Sequence, residues 1–165
     1  HVHVLDGGIT AWIAGGRSVN ASSPTPTPVD PFEARPWRGT VTIEEVADRS
    51  ADTVLLDARD AERYRGDTEP VDPRAGHIPG ARSLPLTGLL AADGTFLPAA
   101  ELRSAFAAVG LDAGGRAIAQ CGSGVTACHL ILAAEVAGIG RPDLYVGSWS
   151  EWSSADRPIA TGSHP

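Results

Sequence analysis

Short apolar runs of strand-forming residues alternate along this chain with segments of helical pattern, and this alternation limits the possible folds most strongly. The clearest runs are TVLLDA (53–58), RAIAQ (116–120) and DLYV (143–146). Each is compact and rich in β-forming residues, which is typical of strands buried in a parallel sheet. We therefore expect an α/β fold in which a parallel sheet with right-handed crossovers carries helices on both faces.

Helix signals fill the intervals between these runs. The capping-box pattern TIEE (42–45) predicts a short helix to about Arg49. Residues 98–110 place apolar side chains at helical spacing and end at a glycine, and residues 124–136 have a second helical pattern. The polar segment 59–79 is rich in Gly and Pro, so we expect an excursion with one helical turn at DAERY and a short strand after it at ARSL.

Charge and cysteine content exclude several classes of protein. Thirteen basic and twenty acidic residues give a net charge of −7, which disfavours nucleic acid and anionic membranes as partners. The chain has no apolar stretch of the roughly 20 residues that a membrane span needs. Its two cysteines, seven residues apart, are poorly placed to form a disulfide, so a reducing compartment and a cytoplasmic location are expected.

An internal repeat suggests how the chain is divided. The segments VLDGGITAW (4–12) and LYVGSWSEW (144–152) align without a gap, and the alignment also matches Arg17 with Arg157. This spacing predicts that the chain begins with the last strand and turn of one domain and continues with a complete second copy. Five prolines in NASSPTPTPVDPFEARP indicate an extended linker. The expected units are residues 1–19, the linker 20–36 and a domain at 37–165.

The segment CGSGVTA, at 121–127, is the strongest candidate for a functional site. Cys121 follows the RAIAQ strand, and ligands of parallel sheets bind beyond the carboxyl ends of strands. A tight turn at Gly122, Ser123 and Gly124 would make main-chain N–H groups converge, and the next helix would add the positive end of its dipole. An anion there, including the Cys121 thiolate, would be stabilised. Alternatively, Cys121 is a small buried apolar side chain.

Residue spacing around Cys121 separates the chemistries that use such a loop. A phosphatase of the C-x5-R type needs Arg where this chain has Ala127, and a C-x-x-C oxidoreductase needs Cys where it has Gly124. Cys121, Cys128 and His129 supply too few ligands for zinc, so no metal is expected. Cys128 itself is expected to pack in the helix or core. A thiolate that carries sulfur is the chemistry left.

Five motifs in the same order resemble the rhodanese superfamily, specifically its two-domain sulfurtransferases. The motifs are LLDAR, ERYRG, GHIPGA, CGSGVTA and GSWSEW. The resemblance implies a rhodanese-like three-layer sandwich, a catalytic domain at 37–165, and a remnant of a non-catalytic N-terminal domain at 1–19. The missing remainder of that domain would form part of the cleft. The chain departs from the family at Pro73, where an aromatic residue is common, and at Val146, where an acidic residue is common.

The resemblance also implies an activity without a cofactor. Cys121 would take a sulfur atom from 3-mercaptopyruvate as a persulfide and pass it to a thiol or cyanide-type acceptor, with Ser123 orienting the donor. The uncharged Gly-Ser-Gly turn favours this donor. Thiosulfate:cyanide sulfurtransfer and a non-catalytic binding module are the alternatives. Main-chain amides and hydroxyls of the loop, at Gly122, Gly124, Val125 and Thr126, would hold the anionic sulfur.

Two arginines are candidates to hold the anionic donor. Arg59 directly follows a strand and Arg63 is four residues further on, so on a helical turn they share a face and could clamp a carboxylate. Alternatively, both form structural ion pairs. Three other residues are expected to be structural: His77 in a turn, and Trp149 and Trp152 in the core.

Overall fold

The computed structural model describes residues 3–23, 25, 27–29, 31, 33 and 38–165. Within these residues, five parallel strands form one sheet in the order β1-β5-β4-β2-β3. The strands are β1 (Thr40–Val41), β2 (Val54–Asp57), β3 (Ala81–Ser83), β4 (Ala117–Gln120) and β5 (Asp143–Tyr145). The strands predicted at the three apolar runs and at ARSL are therefore confirmed, and β4, which precedes Cys121, is the central strand.

The described residues form six α-helices and one 3-10 helix, and those after the first connect and cover the strands. They are α1 (Gly8–Ala14), α2 (Ile43–Ala47), α3 (Ala61–Arg65), the 3-10 helix (Leu86–Leu89), α4 (Ala99–Ala108), α5 (Val125–Val136) and α6 (Ser148–Ser154). The capping box is confirmed, since the Glu45 amide donates to Thr42 Oγ1 and the Thr42 amide donates to Glu45 Oε2. Helix α2 ends slightly earlier than expected.

Two apolar clusters, one on each face of the sheet, make the fold a three-layer α/β sandwich. Leu56 of β2 packs with residues of α4 and α5, including Phe106 and Leu130. The neighbouring Leu55 points to the other face, because side chains alternate along a strand, and packs with Trp149 of α6. The predicted helices on both faces of a parallel sheet are thus confirmed. No helix in the described part of the chain has the length and apolar character to cross a membrane.

The N-terminal segment differs from the prediction. Residues 3–5 form no strand, and the segment folds instead as α1, which starts one residue after Gly7. A strand needs a neighbour to accept its hydrogen bonds, and the sheet pairs residues 3–5 with none of its five strands. The proposed linker 20–36 lies partly outside the described residues, and its described positions carry no helix or strand.

Candidate active site

Cys121 lies at the carboxyl end of the central strand, where β4 turns into α5. It is 2% exposed and packs with the cluster on the α5 face of the sheet, yet it also lines an open cavity. Both cysteines of the chain are free thiols. The end of β4 thus places the Cys121 thiol in a cavity wall, where it is almost entirely shielded from bulk water.

The turn after Cys121 requires a glycine at position 124. Gly124 has φ +82°, a left-handed conformation that costs a residue with a side chain about 1–2 kcal/mol. A Cβ atom there would lie 2.8 Å from the carbonyl oxygen of Val146. Glycine therefore allows the cysteine loop to approach the chain that follows β5.

Six consecutive main-chain amides, those of residues 122–127, have no hydrogen-bond acceptor among the described residues, and the Cys121 sulfur accepts from none of them. The first amide donation of the segment is from Cys128 to the Gly124 carbonyl. Unpaired amides at the start of a helix form a natural site for an anion. The loop after Cys121 therefore carries unpaired donors, and the expectation that they converge on one anion stays a prediction.

Helix α6 holds the cysteine loop from the other side. The Ser148 hydroxyl accepts from the Cys121 amide at 3.2 Å and donates to the Tyr145 carbonyl at 2.9 Å. The amide of Trp149 donates to the Cys121 carbonyl, and the amide of Ser150 donates to the Gly122 carbonyl. Ser148 is fully buried and has φ +51°, so its hydroxyl is kept at some cost in backbone strain.

The cavity beside Cys121 has a volume of about 260 Å³. It is bounded by residues of the cysteine loop, of the segment after β2 and of the 3-10 helix. Its lining residues are Ala58, Arg59, Asp60, Arg63, Leu86, Thr87, Cys121, Gly122, Ser123 and Thr126. This size suits a small organic or inorganic anion rather than a large cofactor.

Arg59 lines the cavity, but its guanidinium donates to the protein through every nitrogen. It binds the Asp57 carboxylate, with Nη2 2.7 Å from Oδ2, and also contacts the Gly76 carbonyl and Glu69. The same group lies 4.6 Å from the centre of the Trp149 ring. Arg59 is thus arranged as a buried ion pair, which was the alternative to the clamp, and it could act on a ligand mainly through its charge.

Arg63 is placed differently. Its Nε and Nη2 bind Glu69 and Asp72, but Nη1 makes no hydrogen bond to the described residues. A Cβ atom built on Gly122 would lie 3.5 Å from that Nη1. Arg63 therefore presents a free donor edge to the cysteine loop.

Glu69 links the two arginines from behind the cavity. Burial raises the pKa of the Glu69 carboxyl, but hydrogen bonds from Arg63 and from the amides of Asp72 and Val71 outweigh it, so the pKa lies below the usual glutamate value. Glu69 is therefore ionised at neutral pH, and it fixes both guanidinium groups.

Not every predicted site residue faces the cavity. Gly124 and Val125 are absent from its lining, and the Val125 side chain is 76% exposed, because the start of α5 turns it to solvent. Cys128 is exposed on α5 rather than packed in the core, so that expectation was wrong. Its position four residues after Gly124 directs Sγ to the Gly124 carbonyl at 3.4 Å.

The structure also adds residues that the sequence did not single out. Glu69 and Asp72 belong to a stretch without helical or strand periodicity, and only the high density of charge near Arg63 could have flagged them. Ser148 is adjacent to the predicted core tryptophans, but nothing local reveals a bond to a residue 27 positions away. The expected structural roles of His77, Trp149 and Trp152 agree with their burial.

The described residues contain no group of three or more His, Cys, Asp or Glu side chains able to hold a metal ion. Taken together, the fold and the site define an α/β protein with a candidate nucleophilic thiol in an anion-receptive loop at the end of the central strand.

Comparison with known proteins identifies the family. The family model for the rhodanese-like domain matches residues 42–155, which is most of the chain. The chain belongs to the rhodanese-like domain family. The predicted family is confirmed, and the matched range runs from the N-cap of α2 to the residue after α6.

Curated relatives extend along nearly the whole chain. A Pseudomonas aeruginosa protein named "Probable 3-mercaptopyruvate sulfurtransferase" is 43% identical over 98% of this chain and 58% of its own length. Bovine thiosulfate sulfurtransferase is 38% identical over 92% of this chain and 52% of its own length. The chain therefore spans somewhat more than half the length of these relatives.

Solved structures share the fold and include sulfur chemistry. The structure of EanB with a cysteine persulfide and ergothioneine in a tetrahedral intermediate state has a TM-score of 0.85 and 26% identity, covering 96% of this chain and 41% of that one. An anaerobic ergothioneine biosynthesis enzyme from Chlorobium limicola, in complex with trimethyl histidine, gives the same TM-score, identity and coverage.

Proposed function

We propose that this chain carries the catalytic domain of a sulfurtransferase, in which Cys121 holds the transferred sulfur as a persulfide. The observation that carries the proposal is the position of a free thiol on a cavity wall, followed by six main-chain amides without acceptors. The relatives named as sulfurtransferases support it, as does the fold shared with an enzyme captured with a cysteine persulfide.

The proposed first half-reaction forms a sulfur–sulfur bond and breaks a carbon–sulfur bond. The Cys121 thiolate attacks the sulfur of 3-mercaptopyruvate, and the leaving enolate takes the proton that the donor thiol loses, giving pyruvate. The charge resides on the outer sulfur of the persulfide. The unpaired amides of residues 122–127 are proposed to stabilise that anion, and a thiophilic acceptor removes the sulfur in the second half-reaction.

Ser123 and Arg63 are the residues that we propose to position the donor. Both line the cavity with Cys121, and the free Nη1 edge of Arg63 can donate to the donor carboxylate. Ser123 can orient the donor or pass a proton to the departing enolate. Arg59 is proposed to contribute positive charge while Asp57 and Glu69 fix its position.

The preferred donor is proposed to be 3-mercaptopyruvate, with thiosulfate as the second candidate. No side chain of the Gly122–Gly124 turn carries a charge, and a small organic carboxylate needs only the one free edge of Arg63. The second candidate has a specific observation in its favour, because relatives of both names match the chain at similar identity.

We also propose that the chain has the two-unit organisation expected from its repeat. Residues 37–165 would form the catalytic domain, residues 20–36 a linker, and residues 1–19 the end of an upstream rhodanese-like domain that completes the cleft. The exposed apolar side chains of Ile9 and Ile13, at 60% and 55%, suit a helix that packs against such a domain. Two free thiols suit a reducing compartment such as the cytoplasm.

Release of pyruvate and of sulfite, measured with each donor and with cyanide as acceptor, tests this proposal. We expect turnover with both donors and a higher kcat/KM with 3-mercaptopyruvate, and Arg63→Gln should raise KM for that donor. A higher kcat/KM with thiosulfate would reverse the assigned donor. No sulfur transfer from either donor, by a protein that includes its upstream domain, would favour the alternative of a non-catalytic binding module.

A further inference from the structure

A second cavity, larger than the one beside Cys121, lies at the amino ends of the strands, opposite to the carboxyl ends where Cys121 is found. Its volume is about 480 Å³, and its lining includes Val54, the first residue of β2. Cys121 instead follows the last residue of β4, and β2 and β4 are parallel neighbours. The two cavities are therefore separated by the length of the strands and share no lining residue.

The charge of this second cavity is unlike that of the chain. Arg49, Arg82 and Arg157 line it, and none of the described residues in its wall is Asp or Glu. The chain as a whole has twenty acidic and thirteen basic residues. An adjacent groove at the same edge is lined by arginines and by four acidic residues, so its charges compensate one another. The three-arginine wall is thus a local positive site on an acidic protein.

Two of these arginines keep unused donors while the fold fixes their position. Arg49 donates to the carbonyls of Val46 and Pro79, and these two bonds hold its guanidinium in the cavity wall. Arg82 donates through Nη1 to the Val109 carbonyl at 2.9 Å, and its Nε and Nη2 make no hydrogen bond to the described residues. Anchored guanidinium groups lose little freedom on binding a ligand, and their forks match carboxylate geometry.

The third arginine, Arg157, lies beside an aromatic side chain. Arg157 lies 5.8 Å from the centre of the Trp152 ring, and the indole of Trp152 donates to the Pro158 carbonyl at 2.9 Å. The only carboxylate that the described residues bring to Arg157 is Glu44, at 3.4 Å, and that side chain is 66% exposed. An exposed pair of this kind contributes little and is readily replaced by a better ligand.

We propose that this cavity binds a small amphipathic organic anion. The carboxylate of the ligand pairs with the guanidinium groups of Arg49, Arg82 and Arg157, and its apolar part lies against Pro79, Pro158 and the small accessible part of Trp152. The cavity thus combines polar groups that can orient a ligand with aromatic and proline side chains that can pack against it, as ligand pockets do. This site is independent of the proposed sulfurtransfer at Cys121.

Benzoate is a suitable probe, because it joins a carboxylate to an aromatic ring. We expect a titration followed by two-dimensional ¹H–¹⁵N NMR to shift the Trp152 indole signal and the amides near residues 49–53 and 80–82, with a Kd of about 1 mM or tighter. Arg82→Gln and Arg157→Gln should each weaken binding about tenfold, because each removes a charge-assisted hydrogen bond. Arg82 is exposed, so its variant is expected to fold.

Arg103→Gln is the matched control. Like Arg82, Arg103 donates through Nη1 to one main-chain carbonyl, that of Ala137, but it lies outside the cavity, so benzoate affinity should not change. Three results would each overturn the proposal: no saturable shift, equal affinity in Arg82→Gln and the parent protein, or shifts confined to residues 121–126. Sulfate should bind more weakly than benzoate, and equal binding would exclude the apolar part of the proposal.

Discussion

Helices α1 and α6, at opposite ends of the chain, have the same local construction but different surroundings. Each is seven residues long and begins one residue after a glycine. The indole of Trp12 donates to the Ser18 carbonyl at 3.0 Å, and the indole of Trp152 donates to the Pro158 carbonyl at 2.9 Å, six residues on in both cases. The local sequence therefore suffices to form the short helix and its indole hydrogen bond at both ends of the chain.

Two further features recur at the matched positions. Arg17 lies 4.9 Å from the centre of the Trp12 ring, as Arg157 lies over Trp152. The first residue of each helix has a positive φ, +60° at Gly8 and +51° at Ser148. Glycine adopts this conformation at little cost, whereas serine is strained in it. The hydrogen bond that the Ser148 hydroxyl accepts from the Cys121 amide offsets this strain.

The difference between the helices is in packing. Trp149, Trp152 and Ser153 of α6 are each at most 2% exposed, whereas Ile9 and Ile13, which match Trp149 and Ser153, are more than half exposed. The same helical face is a core surface in α6 and a solvent-facing surface in α1. Local structure can therefore be shared while the stabilisation and the function depend on what each face contacts.

The largest expected difference between the helices concerns their tryptophans. Trp152→Ala should lower the free energy of unfolding by about 3–5 kcal/mol, because it leaves a cavity in the core. Trp12→Ala should lower it by less than about 1 kcal/mol, because Trp12 is only partly buried. Urea denaturation of the two variants measures both values. Equal losses would show that α1 contributes as much packing as α6.

The next effect concerns the loop that α6 holds in place. Gly124→Ala should cost about 2 kcal/mol or more, since it strains a positive φ and brings a Cβ against the Val146 carbonyl. Gly88→Ala is the control, because a Cβ at Gly88 would contact nothing within 4 Å. Denaturation midpoints test the pair, and a neutral Gly124→Ala variant would mean that the loop does not depend on this close approach.

A smaller effect is expected at the first residue of each helix. Ser148→Ala should cost about 1–3 kcal/mol, because it keeps the backbone strain and leaves the buried Cys121 amide without an acceptor. Ser148→Gly should cost less, because it relieves the strain. Gly8→Ala should cost only the strain of a positive φ, about 1 kcal/mol. If thermal or urea unfolding shows that Ser148→Gly is less stable than Ser148→Ala, the strain argument is wrong.

The smallest effect belongs to the arginines stacked on the two tryptophans. Arg157→Ala should cost about 0.5–1 kcal/mol, and Arg17→Ala should cost less, because the ring under Arg157 is the more buried one. The difference is small, so replicate denaturation curves under identical conditions are needed. A larger loss in Arg17→Ala would indicate that α1 is more firmly packed than its exposed face suggests.

Sequence was sufficient to predict the features that depend on local pattern. The strand before Cys121 follows from its apolar residues, and the tight turn after it follows from Gly122 and Gly124. The side of α5 on which Cys128 lies was not predicted, because an almost uniformly apolar helix has no clear face. Helices α1 and α6 have only seven residues each, which is too short for a helical spacing of apolar residues to be recognised.

Contacts between distant segments could not be predicted in the same way. The spacing of Arg59 and Arg63 indicated their shared location but not their partners. Asp57 is a local partner of Arg59, whereas Glu69 and Asp72 reach Arg63 only once the excursion after β2 has folded back. The bond from Ser148 to Cys121 likewise requires β5 to lie beside β4. Such pairs are properties of the assembled sheet.

The central claim is that Cys121, and not Cys128, carries the transferred sulfur. Intact-protein mass spectrometry after incubation with 3-mercaptopyruvate or thiosulfate, followed by removal of excess donor, tests it most directly. We expect the parent protein and Cys128→Ser to gain one sulfur atom, which cyanide then removes, and Cys121→Ser to gain none. A cyanide-labile sulfur retained in Cys121→Ser, or lost in Cys128→Ser, would contradict the account.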